Sequence, residues 1–101
     1  MQVNILGSTF VIVETSNISH GGTEIGSINY LDQIITIKSD LHPEKKKITL
    51  IHEILHSIFE QLGFTAECEC EKLICTLSTT LYQLFNTNKD ITSYLFPCLK
   101  S

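Results

Sequence analysis

The run Ile48-Thr49-Leu50-Ile51-His52-Glu53-Ile54-Leu55-His56-Ser57-Ile58-Phe59 sets two histidines and a glutamate inside a strongly apolar, helix-periodic segment. In an α-helix His52 and His56 stand one turn apart on one face, about 6 Å along the axis, a separation that suits two imidazoles meeting one Zn²⁺. Glu53 lies about 100° round from His52, placed to hold a metal-bound water without ligating the metal, the position of a general base. The apolar residues Ile48, Ile51, Leu55, Ile58, Phe59 and Leu62 recur at helical spacing, and Gly63 follows as a stop. The spacing therefore predicts a helix over 43–62. Pro43 and Glu44 suit its first turn, with Asp40 or His42 as the cap.

Two histidines make an incomplete catalytic zinc site, because such a site takes three protein ligands and leaves a position for water. The third is expected downstream, where Glu67-Cys68-Glu69-Cys70-Glu71 opens a second helix predicted over 67–86. Glu71 is the leading candidate and Glu67 and Glu69 compete with it; alternatively, all three acids merely favour the positive end of a helix dipole. Leu73, Ile74, Leu77, Leu81, Leu84 and Phe85 supply that helix's apolar stripe, while Glu71, Cys75, Ser78 and Tyr82 share another. Cys75 reads as a small buried apolar residue rather than a ligand. After Asn86-Thr87-Asn88, Asp90 is expected to cap a last helical piece through Leu95, and Pro97 to stop it. This piece belongs to a C-terminal segment, 89–101.

Upstream, residues 1–39 read as mainly β. Residues 2–6 and 9–15 alternate like strands around a Gly7-Ser8 turn, with glycine first. Period two returns over 24–30 and 33–38, with Leu31-Asp32 as the turn between them. Residues 15–23 form a loop whose His20 reads as solvent-facing. The expected class is α+β in a single domain: a small antiparallel (or mixed) sheet of three to four strands, then the HExxH helix and a second packed helix.

Composition narrows the function classes. The 101 residues are 43% hydrophobic and 18% charged, as in a folded globular chain. With a net charge of −4 and Lys45-Lys46-Lys47 as the only basic run, that run reads as a solvated helix face, and no nucleic-acid partner is expected. No stretch approaches the roughly 20 apolar residues of a bilayer span, so no membrane partner is expected and the reading is cytoplasmic. Cys68, Cys70, Cys75 and Cys98 are then expected to stay reduced. The Cys68-x-Cys70 pair also lacks the two-residue spacer of a zinc knuckle.

The segment from Ile48 to His56, followed after a short loop by Glu71-Lys72-Leu73-Ile74-Cys75-Thr76-Leu77-Ser78, resembles the ImmA/IrrE-type zinc metallopeptidases. It looks most like their small stand-alone members, the minigluzincins of phages and mobile elements. The run Leu81-Tyr82-Gln83-Leu84-Phe85 resembles theirs too. The likeness is loose over 24–95 and specific over 48–88. The resemblance implies His52 and His56 as zinc ligands, Glu53 as general base, Glu71 as the third, glutamate ligand, and a peptide or protein substrate laid along an edge strand. Oxyanion help is expected from Tyr82 or His20. The chain departs from the larger members in lacking a proline after the second helix and any DNA-binding or sensor domain.

The expected activity is thus zinc-dependent endopeptidase. A latent form would arise if the apolar tail, 94–101, folded over the site with Cys98 at the metal; the alternative is that the tail covers an outer face. Two competing expectations are a catalytically silent zinc-binding regulatory or interaction module and a metal-free helical interaction module.

Overall fold

Four strands form first: β1 (Gln2–Ile5), β2 (Ser8–Thr15), β3 (Gly26–Asn29) and β4 (Ile34–Lys38). Four helices follow: α1 (Pro43–Gln61), α2 (Thr65–Cys68), α3 (Glu71–Thr87) and α4 (Lys89–Leu95). The structure, a computed structural model, describes residues 1–16 and 24–97. His20 and Cys98, and with them the oxyanion role of the one and the metal contact of the other, lie outside the described residues.

Among the described residues the sheet has four strands in the order β1-β2-β4-β3. The class is α+β, and the sheet is mixed rather than antiparallel: β1–β2 and β3–β4 are antiparallel, but β2 and β4 run parallel, Ile12 opposite Ile35 and Glu14 opposite Ile37. The physical reason lies in β4, whose Ile35 and Ile37 are the most apolar pair in the sheet and are almost fully buried. A strand that apolar belongs in the middle, with ladder partners on both sides. The β3–β4 hairpin therefore inserts β4 beside β2 and leaves β3 at the edge. Val3, Ile5, Phe10, Ile12, Ile28, Ile35 and Ile37 share the face that packs under Leu50, Ile54 and Ile58 of α1. On the opposite face Val11 and Val13 remain 42% and 40% exposed.

The first turn departs from its expected position by one residue, and the second falls at Leu31-Asp32 as expected. The first hairpin turns at Leu6-Gly7, both with positive φ (52° and 94°), and Ser8 already belongs to β2. Two positive φ values match the right-handed twist of the strands, and the Asn4 side-chain oxygen accepts the Gly7 N–H at 3.0 Å. The second hairpin turns through 30–33 and is held by Asn29, whose Oδ1 accepts the Asp32 N–H at 2.9 Å.

The helix expected over 43–62 is α1. Its cap is His42, whose ring nitrogen accepts the Glu44 N–H, and Gly63 ends it at φ 83°. The predicted second helix is in fact two. α2 stops after one turn, and an extended Cys70 (φ −87°, ψ 92°) precedes α3. At the C-terminal end Asn88, not Asp90, stands at the N-cap of α4, and Phe96 turns back onto Phe85 of α3 with ring centroids 5.9 Å apart. No helix among the described residues is long and apolar enough to cross a membrane.

Candidate metal centre

Helical spacing gives α1 two working faces. Leu50, Ile54 and Ile58 meet the sheet core, while Thr49, Glu53 and Ser57, four residues apart, form a buried polar row beside it. That row can approach the sheet because β3 offers a glycine there. A Cβ built on Gly26 would stand 2.6 Å from Thr49 Cγ2 and 3.1 Å from Glu53 Oε2. A glycine inside a strand marks such close approaches, and here it presses Glu53 against the edge strand.

One step round the helix, His52 and His56 face α3. The chain reverses there: Cys75 lies against His52, and Ser78 and Thr79 line the same cleft as Ile48 and Thr49, so α3 runs back along α1. Glu71, the first residue of α3, meets both rings, with Oε1 2.9 Å from His56 Nε2 and Oε2 3.2 Å from His52 Nε2. The two Nε2 atoms are 3.1 Å apart. One ligand atom from each of His52, His56 and Glu71 thus falls within 4.8 Å of the others, and the three could hold a metal ion. The break between α2 and α3 decides which acid does this. Glu71 alone of the three acids reaches the histidines; Glu69 lines the cleft wall and Glu67 lies in the first turn of α2.

The outer ring nitrogens are occupied by sulfur. Cys68 Sγ is 3.6 Å from His56 Nδ1 and 3.3 Å from the His56 carbonyl oxygen, and Cys75 Sγ is 3.7 Å from His52 Nδ1. Tyr30 closes the far side, its hydroxyl 3.8 Å from Cys68 Sγ. Burial, then the Cys68 contact, raises the Tyr30 pKa, so this phenol keeps its proton. Burial also lowers the pKa of His52 against the opposing pull of Glu71, which favours the neutral imidazole a metal needs.

Glu53 is 6% exposed, yet its carboxylate makes no hydrogen bond or ion pair among the described residues. Burial, with the Glu71 and Glu24 carboxylates nearby, pushes its pKa up to about 7. It borders two adjoining clefts. One, of about 300 Å³, runs past Lys45, Thr49 and Ser78, and the other, of about 570 Å³, past Ile28, Tyr30 and Glu60. Gly26 of β3 borders both. Because Lys38 donates its N–H to the Ile25 carbonyl, alternation along the antiparallel ladder pairs Ser27 and Asn29 with β4. The main-chain groups of Gly26 and Ile28 are therefore left pointing outward.

Sequence reasoning did not single out Tyr30, Cys68 or Gly26. Only Gly26 had a legible signal, a glycine within a strand pattern; Cys68 and Tyr30 arrive through the α2 turn and the β3–β4 hairpin. Tyr82, expected at the site, is half-buried and borders neither cleft, and Cys75, expected to be buried, is exposed where its sulfur meets His52. Lys46, expected on a solvated face, reaches Glu14 of β2 at 2.8 Å. Compared with protein-family models, curated proteins and solved structures, the chain matches none.

Proposed function

We propose that this chain is a zinc-dependent endopeptidase of the ImmA/IrrE type that its active-helix segment resembles, with His52, His56 and Glu71 as ligands and Glu53 as general base. The observation that carries the reading is the convergence of the three ligand atoms. A tetrahedral ion with bonds of about 2.0–2.1 Å wants neighbouring donors about 3.3 Å apart. The two Nε2 atoms, 3.1 Å apart, come close to that; Glu71 sets one oxygen 2.9 Å from His56 Nε2 and the other 3.2 Å from His52 Nε2, and one ligand atom from each of the three residues falls within 4.8 Å of the others. Two neutral imidazoles and one carboxylate are also the donor set of a catalytic zinc that keeps a position for water.

When bound, Zn²⁺ would supply an acidified water and a Lewis acid for the scissile carbonyl. The chain's own residues supply the rest. Glu53 is buried, without a hydrogen-bond partner among the described residues, and open to the cleft, so its carboxylate can take a proton from a water held beside it and return it to the leaving amine. A nearby cation would counter the burial and the Glu71 and Glu24 repulsion that raise its pKa in the metal-free protein. The outward N–H and C=O groups of Gly26 and Ile28 can hold an extended peptide by strand addition, carrying it across both clefts above Glu53.

The test is purified protein made without added metal. One zinc per chain and hydrolysis of an unstructured protein such as casein are expected. Glu53→Gln should keep the zinc and the melting temperature while hydrolysis falls by at least 100-fold. A zinc-loaded wild type that cleaves no peptide would sink the catalytic reading and leave a silent binding module, and loss of zinc in Glu53→Gln would sink the assignment of the base.

A further inference from the structure

Outside the ligand set, the most specific arrangement is the pair of cysteines behind the histidines. Each sulfur comes from a different element, Cys68 from α2 and Cys75 from α3, yet both settle on the same atom type, the Nδ1 of one ring each. Both rings consequently turn Nε2 towards Glu71. Histidine ligands usually have an oxygen acceptor behind them, a carboxylate or a carbonyl. Here an acidic partner would stand beside Glu71, Glu53 and Glu24, which already border this cleft, and would add to their repulsion.

We propose that Cys68 and Cys75 are positioning residues that aim His56 and His52 at the metal, and that they are thiols because each must change hydrogen-bond direction as the metal enters. The inference rests on the metal reading above for its second half only. Without metal, the Nε2–H groups donate to the Glu71 oxygens, since a carboxylate can only accept, and each Nδ1 is then a lone pair that takes a thiol S–H. With metal, Nε2 must present its lone pair, so the imidazole proton sits on Nδ1 and donates to sulfur. Each ring stays neutral and keeps one proton. The displaced S–H of Cys68 turns to the His56 carbonyl oxygen, already 3.3 Å away, and that of the exposed Cys75 turns to water. A hydroxyl could make the same reversal, but its shorter bond to Cβ would not span the 3.6–3.7 Å that separates sulfur from nitrogen.

The experiment uses full-length ¹⁵N-labelled protein and compares wild type with Cys68→Ala, Cys75→Ala and Cys75→Ser. In the metal-free state the Nδ1 resonance of His56 should move in Cys68→Ala and that of His52 in Cys75→Ala, each variant leaving the other ring in place. Zinc affinity, read by chelator competition, should weaken about 10–100-fold in each Ala variant, the range expected for outer partners of metal ligands, and Cys75→Ser should recover only part of it. Co²⁺-loaded wild type should show no sulfur-to-metal charge-transfer band, because neither cysteine is a ligand. Cys75 is exposed on a helix where alanine is the better helix former, so that variant stays folded even if Cys68→Ala does not. Unmoved Nδ1 resonances, zinc affinity within twofold of wild type, or a thiolate charge-transfer band would each overturn the proposal. Wild type that binds no metal, with the ring resonances moving as described, would instead remove the metal reading and leave the thiol–imidazole contacts standing.

Discussion

Gly26 shows how much of the site rests on one missing methyl group. Its Cα lies where any side chain would enter the space of Thr49 Cγ2, 2.6 Å from an ideal Cβ, and crowd Glu53 Oε2 at 3.1 Å. Gly26→Ala should therefore cost about 1–3 kcal/mol, the usual penalty of overpacking a close contact. It should lower any hydrolysis further by displacing the Glu53 carboxylate. Thr49→Ser removes the clashing methyl and keeps the hydroxyl that donates to the Lys45 carbonyl at 2.7 Å, so the double variant should regain most of the stability. Urea denaturation of the three variants checks this. If Gly26→Ala is as stable as wild type, or Thr49→Ser restores nothing, then β3 does not press on α1 at this point.

At the scale of elements, the break between α2 and α3 selects which acid meets the two histidines. A continuous helix from Glu67 would turn Glu67 and Glu71 to one face, one turn apart, whereas the extended Cys70 restarts the helix at Glu71. Glu71→Ala should accordingly lower zinc retention through dialysis by at least tenfold, while Glu67→Ala and Glu69→Ala stay near wild type; atomic absorption reads the result, and a reversed order would move the ligand. The α1 histidines and their spacing were legible because helical periodicity acts over a few residues and the amphipathic pattern fixed the helix. The α+β class was legible for the same reason. The parallel pairing of β2 with β4 was not, because strand alternation says which face a residue takes and nothing about which strand lies beside it. The cysteine–histidine contacts were equally invisible: 12 residues separate His56 from Cys68 and 23 separate His52 from Cys75, and only the reversal of the chain at α2 closes those distances.

For the whole molecule, a metal would add to a fold that already has a core. The sheet cluster of Ile5, Phe10, Ile35 and Ile37 packs under Leu50, Ile54 and Ile58 with no contribution from the site. The seam between α1 and α3 is different. Leu55 and Ile74 are buried, but His52, His56, Glu71, Cys75 and the buried Ser78 also meet between the helices, so an ion held there would tie the two helices together. The metal-free protein should thus stay folded, unlike a zinc finger, and lose stability rather than structure. Zinc at about 100 times its Kd would add about 2.7 kcal/mol by mass action, which for a domain of this size is a rise in Tm on the order of 10 °C. Excess chelator should remove that increment while the far-UV circular dichroism at 25 °C is unchanged, and His56→Ala should melt at the chelated temperature with or without chelator. The same Tm for wild type in the presence and absence of chelator would show that α3 is held by packing alone. Loss of the helical signal on chelation would show that the sheet cluster cannot sustain the fold without the seam.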